Sequence, residues 1–267
     1  MEGQVVSLNL RYNEPRDGDD SWPNRVGHVV TTLLAHRPLL VGTQEGLRGM
    51  LEELAAKLPG YAWIGEGRRG GSDDEHCAIF YDHDRLELLE QGQFWLSEQP
   101  GLAGSVGWDA SLPRICTWAK LRDRASGLAF RCYNTHLDHQ GVEARLEGAR
   151  LLGRRIADDR REDRLPALLT GDFNSFPGDA PIRLLRGERD PGEGFGLSDA
   201  YAQATAEIGA TYHAFQGGEA GEPIDYVFAT EGIDLSDVRV DRRSVDGRYP
   251  SDHYPIVVAI ALRPPRL

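Results

Sequence analysis

Cysteine, basic charge and long apolar runs are all scarce in this chain. Its 267 residues include only Cys77, Cys116 and Cys132, and no two of them stand in a C-x-x-C spacing. That argues against a disulfide framework and against a structural zinc site. Cys116 and Cys132 fall in strand-like runs, so the thiols read as buried and reduced, which suggests a reducing compartment. No stretch approaches the ~18 uninterrupted apolar residues of a membrane span, and Met1 to Leu10 contain neither a basic leader nor a signal-peptide core. A cytoplasmic location is the expectation. Basic residues number 30 against 42 acidic ones, for a formal net charge of −12. A protein that tracks a long polyanion needs a basic stripe, because phosphate neutralisation drives its affinity. The Arg154-Arg155 and Arg160-Arg161-Glu162-Asp163-Arg164 clusters are mixed with acids and read as a solvated helix face. Extended nucleic-acid binding is thus disfavoured, whereas a short phosphorylated ligand gripped locally is compatible. Repeats, low-complexity tracts and Pro/Gly/Ser linkers are missing too. Residues 1–267 therefore read as a single domain, with no protein partner evident.

What the chain does contain is short β-like runs in both halves, with helices among them. Gln4 to Leu10 alternates as a strand, and Arg11 to Asn24 is a polar loop. Val26 to His36 has apolar residues at helical spacing until Pro38 stops it. Leu39 to Gln44 is a short buried strand, and Met50 to Leu58 is a second helix. Tyr61 to Gly65, Cys77 to Asp82, Leu86 to Trp95, Ile115 to Arg122 and Ala129 to Thr135 read as strands divided by turns. Val142 to Asp158 is the clearest helix, followed by strand Ala167 to Thr170 and a short helix, Ala180 to Arg186. After a glycine-rich turn, a helical stretch spans Asp199 to Gln203. Strands are placed around Tyr212, at Ile224 to Ala229, at Val238 to Ser244 and at Ile256 to Leu262, before a frayed Pro264-Pro265 tail. Two stacked sheets with helices on the outer faces satisfy the layer rules.

The polar residues of interest share a location. Asn9, Glu45, His136, Asp172, Asn174 and Asp225 each lie at or beside the end of an apolar strand-like run, where loops converge on ligands. In Gly171-Asp172-Phe173-Asn174 the i and i+2 side chains share one face. A carboxylate beside a carboxamide suits a water-positioning base next to an oxyanion donor. Asp225 stands inside an apolar strand, where an unpartnered carboxylate is costly, and an imidazole is a suitable partner. In Ser251-Asp252-His253 the neighbouring side chains diverge, so Asp252 can face a metal and His253 a phosphoryl group. Asn9, Glu45 and Asp252 are oxygen donors without nearby thiols, a hard set that favours Mg²⁺ or Mn²⁺ over zinc.

Taken together, Ser7-Leu8-Asn9-Leu10-Arg11, Gln44-Glu45, Asn134-Thr135-His136, Gly171-Asp172-Phe173-Asn174, Ile224-Asp225-Tyr226 and Ser251-Asp252-His253 resemble the endonuclease/exonuclease/phosphatase (DNase I-like) superfamily, in family order across nearly the whole chain. The resemblance implies a four-layered α/β/β/α sandwich with two stacked, mainly antiparallel sheets. It implies that Glu45, with Asn9 and Asp252, holds a catalytic Mg²⁺, and that Asp172 activates or orients the attacking water. Asn174 and His136 would stabilise the charge on the phosphorane-like transition state. His253, oriented by Asp225, would contact the scissile phosphate. Either Asp172 or His253 would be the base. Asn9-Leu10-Arg11-Tyr12-Asn13, Phe94-Trp95-Leu96-Ser97, Gly107-Trp108-Asp109-Ala110 and Thr135-His136-Leu137-Asp138-His139-Gln140-Gly141 look like a bacterial branch of small metal-dependent hydrolases. In that setting Arg114 is a candidate phosphate clamp, and Trp22, Trp108 and His213 are candidate pocket-lining residues.

Three functions follow. The first is a Mg²⁺-dependent phosphoester hydrolase, a phosphatase or phosphodiesterase acting on a small or short substrate. The second is a nuclease, either a 3′→5′ exonuclease or a deadenylase-like enzyme, motivated by Asn134-Thr135-His136. The third, a non-catalytic binding module, requires a broken catalytic position, and none is present.

Overall fold

The computed structural model describes residues 1–188, 196–204 and 207–263. Twelve strands form two six-stranded sheets. The first sheet has the order β11-β12-β1-β2-β4-β3, built from β1 (Glu2–Asn9), β2 (Leu40–Gln44), β3 (Tyr61–Ile64), β4 (Ile79–Asp82), β11 (Ile233–Val240) and β12 (Ile256–Leu262). The second has the order β5-β6-β7-β8-β10-β9, built from β5 (Leu86–Trp95), β6 (Ile115–Asp123), β7 (Ala129–His136), β8 (Ala167–Asp172), β9 (Ser198–Asp199) and β10 (Asp225–Ala229). The pairs β1–β2 and β7–β8 are parallel, and the other pairings are antiparallel.

Burial on both faces explains the near-continuous apolar character of the central strands. In β1, Val5 joins the core between the sheets, while Val6 and Leu8 point the other way into helices α1 (Trp22–His36) and α2 (Arg48–Lys57). On the far side, Tyr133, Leu169 and Phe228 pack beneath α3 (Val142–Asp163) and α4 (Ala180–Leu185). The result is the α/β/β/α sandwich of four layers.

The core between the sheets changes character along the strands. At one end it is apolar, with Leu40, Ile79, Leu121, Leu168 and Val258. Toward the other it turns polar. Gln44 Nε2 and Thr170 Oγ1 donate to Asn134 Oδ1 at 2.7 and 3.0 Å, and Asn134 Nδ2 donates to the Thr43 and Ala78 carbonyls. Asn134 thus satisfies its buried amide with partners from both sheets, which pins their relative register. Gly42 is required at this crossing, because a Cβ would sit 2.1 Å from Thr170 Oγ1 and 2.7 Å from Asn134 Oδ1.

Several boundaries differ from the sequence reading. Helix α1 begins at Trp22 rather than Val26, since Pro23 occupies its first turn, where no N–H is needed. Helix α3 runs on to Asp163, held by ion pairs such as Arg155–Asp159 and Arg161–Asp158 on the face read as solvated. The strand placed at 238–244 is instead Ile233–Val240, an edge strand whose pairing shifts between Ser236 and Arg239, with Asp237 at φ 46°. The strand placed around Tyr212 reduces to a single bridge to His253. Asp199 to Gln203 forms the end of strand β9 and a 3-10 turn. The Pro264-Pro265 tail and part of the glycine-rich turn lie outside the described residues. All three cysteines are free and buried, and burial raises their thiols. No described helix is long and apolar enough to cross a membrane.

Candidate active site

The polar end of the sandwich is where the candidate residues meet. Register places Asn9 opposite Gln44, the residue before Glu45. It places Asp172 between His136 on β7 and Asp225 on β10. The loop carrying Ser251, Asp252 and His253 enters β12 at the same end, and Ser251 Oγ donates to the Asn9 carbonyl at 2.6 Å. Sequence-distant side chains thus surround one cleft of about 650 Å³, lined among others by Glu45, His136, Asp172, Asn174, Asp252 and His253. A cavity of similar size, about 670 Å³, lies elsewhere around Arg186, Asp199 and Tyr201, away from these groups.

Asp172 is the hub. It is 1% exposed. Its Oδ1 accepts from Asn174 N at 2.9 Å, and its Oδ2 accepts from Asn9 Nδ2 at 3.1 Å. His136 Nε2 and His253 Nε2 stand 3.4 and 3.7 Å from Oδ2. Burial, reinforced by the Asp225 charge, pushes the carboxyl up to about 7.

His253 is raised as well, but toward its charged form. Burial disfavours the imidazolium, but Asp225, whose Oδ2 lies 2.8 Å from Nδ1, overcomes it and raises His253 to about 10. His253 is therefore cationic near neutral pH, with Nδ1–H on Asp225 and Nε2–H toward Asp172. Thr211 Oγ1 also donates to Asp225 Oδ2, at 2.7 Å.

His136 is held neutral. Burial first, then the charge of Arg114, holds it well below the usual histidine range. Asn174 Nδ2 donates to the Leu137 carbonyl and faces His136 Nε2, both at 3.0 Å. A carbonyl can only accept, so Nδ2 is the amide nitrogen and His136 Nε2 carries a lone pair. Both amide hydrogens of Asn174 are thereby committed. Its side chain orients His136, and its backbone N–H holds Asp172.

Asn9, fully buried, likewise turns its nitrogen toward its neighbours. Nδ2 bridges Glu45 Oε1 at 2.9 Å and Asp172, while Oδ1 accepts from Arg11 N at 2.9 Å. The expected metal ligand thus stands as a clamp between two carboxylates. Glu45 Oε2 accepts from Tyr12 N at 3.1 Å. Arg11, Glu45 and Asn174 all adopt positive φ, at 53°, 61° and 45°. Asparagine tolerates this conformation, but for arginine and glutamate it is strained, which is a feature that clusters at functional sites.

Hard oxygens suit a divalent cation here. Glu45, Asp172 and Asp252 all line the cleft, no thiol is among its described lining residues, and burial raises Asp252 with Glu45 adding to the effect. Ligand atoms of Asp172, Asp225 and His253 lie within 4.8 Å of one another. In that trio Asp225 Oδ2 is engaged by His253 and Thr211, while its buried Oδ1 has no partner among the described residues. Glu45 and Asp252 offer further carboxylate oxygens on the same cleft.

Among the candidate pocket residues, only Arg114 lines the cleft. Trp22 is buried beside α2, with Nε1 donating to Glu53 at 2.9 Å. Trp108 lies outside the cleft, its backbone N–H near the Glu98 carboxylate. His213 stacks on Tyr254 at 3.8 Å, and its backbone N–H donates to the Asp252 carbonyl at 2.8 Å, so it braces the loop from behind. Sequence reasoning missed Arg68, Glu75 and Tyr212 on the cleft wall. Arg68 sits in a stretch legible only as a turn. It also missed Arg25, which is 1% exposed and donates to the carbonyls of Leu10, Arg11, Asp20 and Pro250. That one side chain ties the Asn9 and Asp252 loops together.

Residues 6–253 match the endonuclease/exonuclease/phosphatase family model. The chain belongs to the endonuclease/exonuclease/phosphatase family. It is a hydrolase of phosphoester bonds, in a family whose enzymes generally depend on a divalent cation. A family structure from Bacteroides vulgatus is 34% identical, with a TM-score of 0.91 covering 98% of this chain and 100% of that one. A mannosyl-6-phosphatase of Bacteroides thetaiotaomicron is 33% identical, with a TM-score of 0.89 covering 97% and 99%. Nocturnin of Drosophila melanogaster is 28% identical over 92% of this chain, which spans only 43% of that protein.

Proposed function

We propose that this family member is a Mg²⁺-dependent hydrolase of a small phosphorylated substrate, working by direct attack of an activated water. The observation that carries the reading is the paired bias of Asp172, at about 7, and His253, at about 10. Their surroundings raise both groups, so Asp172 still gives up its proton first and His253 keeps its own near neutral pH. An imidazolium held by Asp225 has no lone pair with which to act as base near neutral pH, so that task falls to Asp172.

Glu45, with Asp172 and Asp252, would hold the divalent cation, which would supply Lewis-acid polarisation of the phosphoryl group. Asp172 takes the proton of the attacking water as its oxygen bonds to phosphorus and the bond to the leaving oxygen breaks. Asn9 and the Asn174 N–H fix the Asp172 carboxylate, so its free lone pair is aimed before substrate arrives. His253 Nε2–H hydrogen-bonds the phosphoryl group and is the proton source for the leaving oxygen. Oxygen donors favour Mg²⁺, and Mn²⁺ satisfies the same set. The similarity to a mannosyl-6-phosphatase over the full chain supports a small substrate, as does the shortage of basic charge.

A nuclease is the second reading. Tyr212 is 48% exposed at the rim, its ring 5.0 Å from that of His253, a placement that suits stacking on a base. The test is turnover by purified protein, with Mg²⁺ or Mn²⁺, of sugar phosphates, phosphodiesters and short oligonucleotides. The proposal predicts metal-dependent release from small phosphoesters. Preferential oligonucleotide cleavage supports the second reading instead.

A further inference from the structure

The cleft that holds Glu45, Asp172 and Asp252 is also lined by Arg68 and Arg114, of which Arg68 is already paired with Asp74 and Glu75. Both arginines are largely buried, at 8% and 6% exposure. A buried guanidinium persists only where fixed acceptors compensate it. Arg114 Nε donates to Asp138 Oδ2 at 3.2 Å, and Nη2 donates to His139 Nδ1 at 2.9 Å. Asp138 is itself immobilised. It accepts from Gln140 N and Gly141 N at 2.9 and 2.7 Å, and from Ser111 N and Oγ at 3.1 and 2.8 Å. Burial alone would raise this carboxyl, but those donors hold it well below the usual range. It stays ionised and locks the guanidinium plane. Arg114 Nη1 has no hydrogen-bond partner among the described residues and is not sealed from solvent. A pre-oriented N–H group therefore stands on the cleft wall beside His136.

We propose that Arg114 clamps a terminal phosphate, so that the cleft selects phosphomonoesters over phosphodiesters. This rests on the phosphoester-hydrolase reading above and narrows its substrate class. A monoester phosphate carries about two negative charges near neutral pH and three acceptor oxygens. A diester loses one of each. The cation site and His253 accommodate two oxygens, and the third needs a charged donor of its own. The fixed Nη1–H of a guanidinium suits that oxygen, because charge-assisted bonds to an anionic oxygen are short and directional. In a diester the same oxygen bears carbon. It is then an uncharged and weaker acceptor, and the substituent meets a side chain that Asp138 prevents from swinging away.

The experiment compares 4-nitrophenyl phosphate with methyl 4-nitrophenyl phosphate, which share a leaving group and differ by one charge. Wild-type protein with Mg²⁺ is expected to favour the monoester in kcat/KM. Arg114→Gln is expected to reduce that preference at least about tenfold, the scale of one hydrogen bond to a charged group. Arg114→Lys, which keeps the charge but not the fixed N–H direction, is expected to fall between. Inorganic phosphate is expected to inhibit wild type at least about tenfold more strongly than dimethyl phosphate, a readout that stands even if the variants do not fold. Equal loss on both esters in folded variants, wild-type preference for the diester, or equal inhibition by the two anions would overturn the clamp. No turnover of either ester, with no metal-dependent activity on any phosphoester, would instead defeat the hydrolase reading on which it rests.

Discussion

His253 Nδ1 stands 2.8 Å from Asp225 Oδ2, and both side chains are buried where the strands of the two sheets converge. The same carboxylate oxygen accepts from Thr211 Oγ1, which in turn accepts from Asp225 N at 3.2 Å. The pair is thus built into a closed local network. It fixes which imidazole nitrogen faces the cleft and keeps the ring charged.

Asp225→Asn should uncouple the two. The His253 pKa should fall from about 10 toward or below the ordinary 6.5, followed by NMR titration of its ring protons. Turnover should drop about 10²–10⁴-fold, the range of a lost acid–base group. In wild type the raised pKa contributes stability that is full below about pH 6.5 and is lost as pH rises through about 10. The stability gap between wild type and variant should therefore narrow over that window. A gap that widens with pH would contradict the assignment.

Asp172 has the same sign. Its folded pKa, about 7, lies above the ordinary 3.8. Its contribution is present below about pH 4 and lost as pH rises through about 7. Without divalent ion, Asp172→Asn should therefore melt at or above the wild-type temperature at pH 8, while losing activity. Calorimetry in chelator at pH 5 and pH 8 checks this. A variant that is destabilised more at pH 8 than at pH 5 would show that the carboxylate is stabilising when charged.

Divalent cation should stabilise the protein by mass action, by about 2.7 kcal/mol at a hundredfold excess over Kd. Glu45→Gln should abolish most of that shift in a thermal melt with and without Mg²⁺. An undiminished shift in Glu45→Gln, lost instead in Asp225→Asn, would move the cation to the Asp172–Asp225–His253 trio.

Much of this site was legible in the sequence because strand ends leave a signature. Apolar runs that stop at Asn9, Gln44, His136 and Asp172 mark one edge of the sandwich, and the resemblance supplied the order of the layers. Directions of side chains were not legible. Nothing in Asn9 or Asn174 as letters says that the amide nitrogen faces a carboxylate or an imidazole, since that depends on which backbone groups claim the remaining atoms. Trp22 and His213 read as pocket residues only through the resemblance, yet both turn into the packing behind the cleft. Arg25 was hidden for the opposite reason. An arginine in a helix reads as surface, and only the tertiary fold shows four carbonyls closing on it.

Arg25→Met should therefore be far more damaging than a surface arginine change. It leaves the carbonyls of Leu10, Arg11, Asp20 and Pro250 without their donor. A loss of at least about 3 kcal/mol is expected in denaturant unfolding, the scale of a broken buried polar network. A change below about 0.5 kcal/mol would place Arg25 with ordinary surface positions.

The central claim is that Asp172 activates water for a metal-dependent attack on a small phosphoester. The most direct measurement is hydrolysis of such substrates by wild type and by Asp172→Asn, with Mg²⁺ present and with it chelated. The account predicts turnover by wild type only with the cation, and a loss of about 10²–10⁴-fold in a variant that remains folded. Undiminished turnover by folded Asp172→Asn, or wild-type activity indifferent to chelation, would contradict it.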